Sequence, residues 1–218
     1  MSMIEALSNS TREELMSLGL QKANIAAELI IQIYDNLSVN PELALELTRR
    51  LVNISTRIAL FRELNGVAAY NNGEYRLAIT ELKTAKRING ATDYLPMIAD
   101  SYRGIGQSEI VLKIASSDEA LSLAPDTHAE LAIVLASVYA DSNKFESAHQ
   151  ILQFEIKRFD ISNDSKLKIL EARLNFYEMA GDDEHAKQMN DAIEPIRVQL
   201  QEQHNGPLVT YDLLEKEA

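Results

Sequence analysis

The stretch from Gly66 to Ala85, GVAAYNNGEYRLAITELKTA, constrains the fold more than any other part of the chain. It reads as the end of one helix, a tight turn at Asn71-Asn72-Gly73, and most of a second helix. Leu60, Leu64, Val67 and Ala68 share a face before the turn. Tyr75, Ala78, Ile79, Leu82 and Ala85 share one after it, until Asn89-Gly90. Steps of three and four residues bring apolar side chains onto one side of a helix. Gly73 suits the left-handed backbone that ends a helix, because it has no Cβ to clash. Two helices approach to ~8 Å only where the facing side chains are small. Gly66 and Ala78 are suited to that contact, with Tyr70 or Tyr75 filling the adjoining groove.

The same arrangement recurs along the chain. Gly73 to Gly106 is 33 residues, Gly106 to Asn143 is 37, and Asn143 to Gly181 is 38. Ala44, Ala78, Ala148 and Ala186 keep a similar interval in the return helices. A period in the mid-thirties carried by helix–turn–helix units indicates a helical solenoid, in which each unit buries its apolar face on the next.

Around the best unit, residues 59–90, the other pairs follow in order. Residues 1–10 read as a flexible N-terminus, and Ser10 with Glu13 has capping-box spacing ahead of one long helix from Leu15 to Leu37. Asn40-Pro41 starts the next helix, striped by Leu43, Ala44, Leu47, Leu51 and Ile54. This first pair, residues 11–55, is atypical. A third pair runs from Thr92 to Leu123, with Pro96 tolerated in its first turn and a break at Ala115-Ser116-Ser117-Asp118. Pro125-Asp126-Thr127 marks the next start, where Thr127 and Glu130 form another capping box, and the turn follows at Ser142-Asn143. The last pair begins near Asp164, turns at Ala180-Gly181-Asp182 and extends toward Gln203 before Gly206-Pro207. Residues 11–204 are thus read as a single domain, followed by an acidic tail, residues 205–218, with an apolar patch at Val209, Tyr211, Leu213 and Leu214. That tail is expected to be disordered, or to dock into the chain's own groove.

The pattern resembles the tetratricopeptide repeat. Gly66, Gly73, Tyr75, Ala78 and Ala85 match most of that family's small and aromatic positions in the best unit, with the first-helix aromatic displaced to Tyr70. Ala136, Tyr139, Phe145 and Ala148 match in the fourth unit; Ala99, Tyr102 and Gly106 in the third; Tyr177, Gly181 and Ala186 in the fifth. The family's Trp is missing, and its closing Pro survives only as Pro125. The resemblance spans roughly residues 25–198. It implies an all-α, right-handed α-solenoid of about five antiparallel helix hairpins, about ten helices in all.

Composition excludes several classes of function. The chain of 218 residues has no Cys, so it forms no disulfide, thiolate zinc site or Cys nucleophile. A formal charge of −12 disfavours sequence-independent nucleic-acid binding, which needs clustered Lys and Arg. The start of the chain lacks the pattern of a secretory signal, and its apolar runs fall short of the ~20 residues that span a bilayer. A soluble, cytoplasmic protein with no membrane partner is expected. The four histidines, His128, His149, His185 and His204, are scattered. Asp182-Asp183-Glu184-His185 is the densest group of metal-ligand types, but acids in a first helical turn are ordinary partners of the helix dipole. No catalytic, cofactor or metal site is expected.

The resemblance places partner binding on the concave wall made by the first helix of each pair. Counting from the turns, that wall holds Glu63, Val67, Tyr70 and Asn71, then Asp93, Asp100 and Arg103. Further along it holds Glu130, Ile133, Ser137 and Asp141, then Lys168, Glu171, Asn175 and Glu178. Acids outnumber bases here by seven to two. Some family members grip a C-terminal carboxylate with Lys, Arg and Asn, but Glu63, Val67, Asp93 and Met97 stand at those positions here. The expectation is a non-catalytic scaffold or adaptor whose acidic groove takes a basic or mixed-polarity peptide or helix of another protein. A self-assembling subunit, such as a homodimer through the terminal helices, is the alternative. An enzyme or metal-binding protein is the third reading.

Overall fold

The computed structural model describes residues 7–158 and 160–204; the tail from 205 and its docking therefore lie outside the described residues. Among them are twelve α-helices and no strand, two more helices than the ten expected. They are α1 (Asn9–Met16), α2 (Leu20–Asn36), α3 (Pro41–Ile54), α4 (Ala59–Asn71), α5 (Tyr75–Asn89), α6 (Leu95–Gly104), α7 (Ser108–Ala115), α8 (Asp118–Leu121), α9 (Pro125–Asp141), α10 (Phe145–Glu155), α11 (Asn163–Ala180) and α12 (Asp183–His204). Where the repeat reading treats 11–204 as one domain, the described residues group into two compact units, 7–94 and 95–204.

The two extra helices come from breaks. The apolar run from Leu15 to Leu37 is interrupted between Met16 and Leu20, where Gly19 takes a φ of 82°. The flexible N-terminus expected over 1–10 is corrected for its last residues. Leu7 is buried, and α1 starts at Asn9 because the Ser8 hydroxyl accepts from Thr11 N at 3.3 Å. The second break is the expected one. After α7, the Ser116 hydroxyl donates to Leu112 O at 2.9 Å, and Ser117 caps α8 by accepting from Ala120 N. Such serines offer the backbone an alternative to continuing the helix. The Asn40 cap is present, its Oδ1 accepting from Leu43 N at 3.2 Å ahead of Pro41. The capping box at Thr127 is not, because Pro125 already opens α9 and carries Thr127 into its first turn.

Four turns share one geometry. Gly73, Gly106, Asn143 and Gly181 all have positive φ, between 58° and 76°. In each, the next residue's N–H reaches back to a carbonyl five positions earlier: Glu74 to Ala69, Gln107 to Tyr102, Lys144 to Tyr139 and Asp182 to Tyr177, all at 2.9 Å. This Schellman closure satisfies carbonyls that the helix end leaves open.

In the first unit α1 packs on α2, α2 on α3, α3 on α4 and α4 on α5. α4 and α5 approach closely at Gly66, where a Cβ would lie 2.6 Å from Leu82 Cγ. Ala78 is buried with Ala44, Ala68 and Ala69. The hairpins are also pinned by polar groups: Asn72 Nδ2 donates to Pro41 O at 2.8 Å, and Thr48 Oγ1 donates to Asn65 Oδ1 at 2.9 Å inside the core. In the second unit α6 packs on α7 and α9, α9 on α10 and α11, and α11 on α12. Within each unit, neighbouring helices thus pack against one another.

Candidate protein-binding surface

The residues expected on the wall fall into two groups, one in each unit. In the first unit Glu63, Val67 and Tyr70 follow at helical steps on α4 and are half-buried. Tyr70 meets Tyr75 edge to face, with ring centroids 6.0 Å apart. The Asn71 side chain donates to Leu37 O at 3.1 Å, which ties it to the preceding hairpin, and Asp93 is exposed. Glu63 accepts from the Tyr94 hydroxyl at 2.7 Å.

In the second unit the expected charges come together in pairs. Arg103 on α6 donates to Asp100 at 2.8 Å and to Asp141 on α9 at 2.9 Å. Lys168 on α11 donates to Glu130 on α9 at 2.6 Å, and Arg197 on α12 reaches Glu171 at 3.0 Å. Burial works against the Arg103 charge, but the two carboxylates outweigh it and push its pKa up. Ile133 and Ser137 lie half-buried between these bridges, the serine donating to Ile133 O, whereas Asn175 and Glu178 are exposed. Asp141 and Glu130 therefore bridge α9 to α6 and to α11. With Arg and Lys as their partners, they attract a basic ligand less than the sequence count of acids implies.

Sequence reasoning missed a cleft of about 400 Å³ in the second unit. Ala115 at the end of α7, Leu131 and Leu135 of α9, and Ile151 and Phe154 of α10 line it, with His128 and Glu155. It opens where α7 stops short, and Phe154 is left 76% exposed. Glu155, its side chain 3% exposed, meets His128 at 3.0 Å and Arg158 at 3.6 Å. The signal that could have found it is the break at Ala115 to Asp118, since Ala115 at the end of α7 lines the cleft.

A stack of three rings crosses the last hairpin. His149 of α10 stacks on Tyr177 of α11 at 4.0 Å, and Tyr177 stacks on His185 of α12 at 5.3 Å. Both His149 ring nitrogens are buried without a hydrogen-bond partner. Burial first, then the charges of Arg173 and His185, push the His149 pKa down against the opposing pull of Asp182. A histidine held neutral in this way loses folding stability as pH falls through its unfolded value of ~6.5, because the unfolded chain binds the proton more readily. Thermal melting at pH 7.5 and 5.5 should show a fall in Tm that His149→Phe reduces; an equal fall in the variant would contradict this.

Among the described residues no three side chains of His, Cys, Asp or Glu converge as a metal site; Asp182 pairs instead with His185 at 2.8 Å. None of their helices is long and apolar enough to cross a membrane. Searches of the chain against protein-family models, characterised proteins and solved structures return no match.

Proposed function

We propose that the chain is a non-catalytic, TPR-like interaction scaffold of the cytoplasm: a right-handed solenoid whose first-helix wall binds a peptide or helix of another protein. The observation that carries this reading is the alignment of α6, α9 and α11, bridged by Arg103–Asp141 and Lys168–Glu130. These bridges fix a wall of one element type, with Ile133 and Ser137 between the charges. A wall of this kind suits a segment of mixed polarity: apolar side chains for the centre, charged ones to exchange with the bridges. Capture of partners from a native extract on the immobilised chain tests the reading. A retained protein lost on Asp100→Lys with Glu130→Lys is expected; a retained protein unaffected by the pair would contradict it.

A self-assembling subunit is the second reading, and one observation favours it. Met16, Leu20 and Ile25, at the end of α1 and along α2, are exposed, Leu20 by 63%. Light scattering decides between the two: a monomer supports the scaffold, and a dimer dispersed by Leu20→Glu supports self-assembly.

A further inference from the structure

Glu63 differs from the other acids of the wall that have been located in a bond. Asp100, Asp141, Glu130 and Glu171 each meet an Arg or Lys. Glu63, among the described residues, is held by a neutral donor, the Tyr94 hydroxyl at 2.7 Å. That hydroxyl is itself fixed by Asn89, whose Nδ2 donates to it at 3.0 Å. Tyr34 of α2, 44% exposed, feels the charge of Glu63. Burial first, and the Glu63 charge second, push the Tyr34 phenol pKa up. Tyr94 is raised in the same way, with Asp93 adding to the negative field. A half-buried carboxylate is thus oriented by a phenol, and its charge is not met by a cation of the described residues.

We infer that Glu63, held by the Tyr94 hydroxyl, is a receptor for one arginine or lysine side chain of a partner segment. This rests on the scaffold reading and names the chemistry of its ligand. The Tyr94 bond leaves the carboxylate further lone pairs, and its second oxygen suits the planar fork of a guanidinium. An aromatic ring beside the carboxylate favours the same group, because guanidinium stacks on tyrosine and is weakly hydrated. The partial desolvation of the carboxylate strengthens the pair beyond that of a fully solvated one. Complementary charge therefore selects a basic side chain, and Val67, one turn along α4, gives an apolar neighbour on the partner a place to rest.

The test is a ¹H–¹⁵N NMR titration of the full chain at low salt. The probe is an acetylated, amidated pentapeptide of sequence Ala-Leu-Arg-Leu-Ala, compared with the same peptide carrying neutral citrulline. Arginine peptide should shift the amides of Tyr34, Glu63, Val67 and Tyr94, and binding should weaken about tenfold in Glu63→Gln, as loss of a charge-assisted hydrogen bond implies. Added salt should weaken it too. Equal shifts with citrulline, unchanged binding in Glu63→Gln, shifts confined to other residues, or no shift at millimolar peptide would each overturn the inference. The scaffold reading fails separately. If extract capture depends on Asp100 and Glu130 while the peptide leaves Glu63 unmoved, only this inference falls; the reverse result leaves it standing without the wall of α6, α9 and α11.

Discussion

Gly66→Val should destabilise the first unit by about 2 kcal/mol, and Gly66→Ala by less in the same direction. A Cβ at this position would stand 2.6 Å from Leu82 Cγ, 2.7 Å from Leu82 Cδ2 and 3.2 Å from Leu82 N. Leu82 is fully buried on α5, so its side chain has no free space to move into. Relief must come from parting α4 and α5, and overpacking of this kind costs ~1–3 kcal/mol. Replacing a mid-helix glycine also favours the helix by up to ~1 kcal/mol, which offsets part of the loss but not its sign. Urea unfolding followed by circular dichroism checks it: a midpoint at or above the wild-type value would show that the approach at Gly66 is not tight.

Arg62→Ala should cost about 3 kcal/mol. Arg62 Nη1 donates to both oxygens of Glu81, at 3.0 and 2.8 Å, and the side chains are only 17% and 9% exposed. Truncating the arginine leaves a carboxylate in the α4–α5 seam without its counter-charge, and an uncompensated buried charge is far more costly than the pair is favourable. The double variant Arg62→Met with Glu81→Leu should therefore recover most of the loss. A double variant as unstable as Arg62→Ala alone would mean that the pair, rather than the stranded carboxylate, accounts for the stability.

The elements of this fold are written locally, and that part was legible. Gly73, Gly106 and Gly181 mark helix ends because only a residue tolerant of positive φ closes the turn, and Asn143 is the side-chain-bearing residue best suited to replace them. Asn40 ahead of Pro41, and the serines after Ala115, announce themselves in the same way. The break at Gly19 was hidden because Leu18 and Leu20 continue the apolar run across it. What local pattern does not carry is which charges meet. Arg103 and Asp141 are 38 residues apart, and so are Glu130 and Lys168. That distance matches the 37 and 38 residues between successive turns, so pairing each acid with the base one such interval away was available as a signal. Read as a list, the same acids suggested an open negative groove; paired at that interval, Asp141 and Glu130 are bridges between packed helices. Glu63 stands apart for the same reason, since its partner Tyr94 carries no charge.

Amide hydrogen exchange of Gly66→Val tests the leaning of each hairpin on the next most directly. Loss of protection should be largest in α4 and α5, smaller in α3 and least in α1 and α2, because each helix is supported mainly by its neighbours in the chain. Equal loss through residues 9–89 would mean that these helices stand or fall as one block, and the stacked-hairpin account would be wrong.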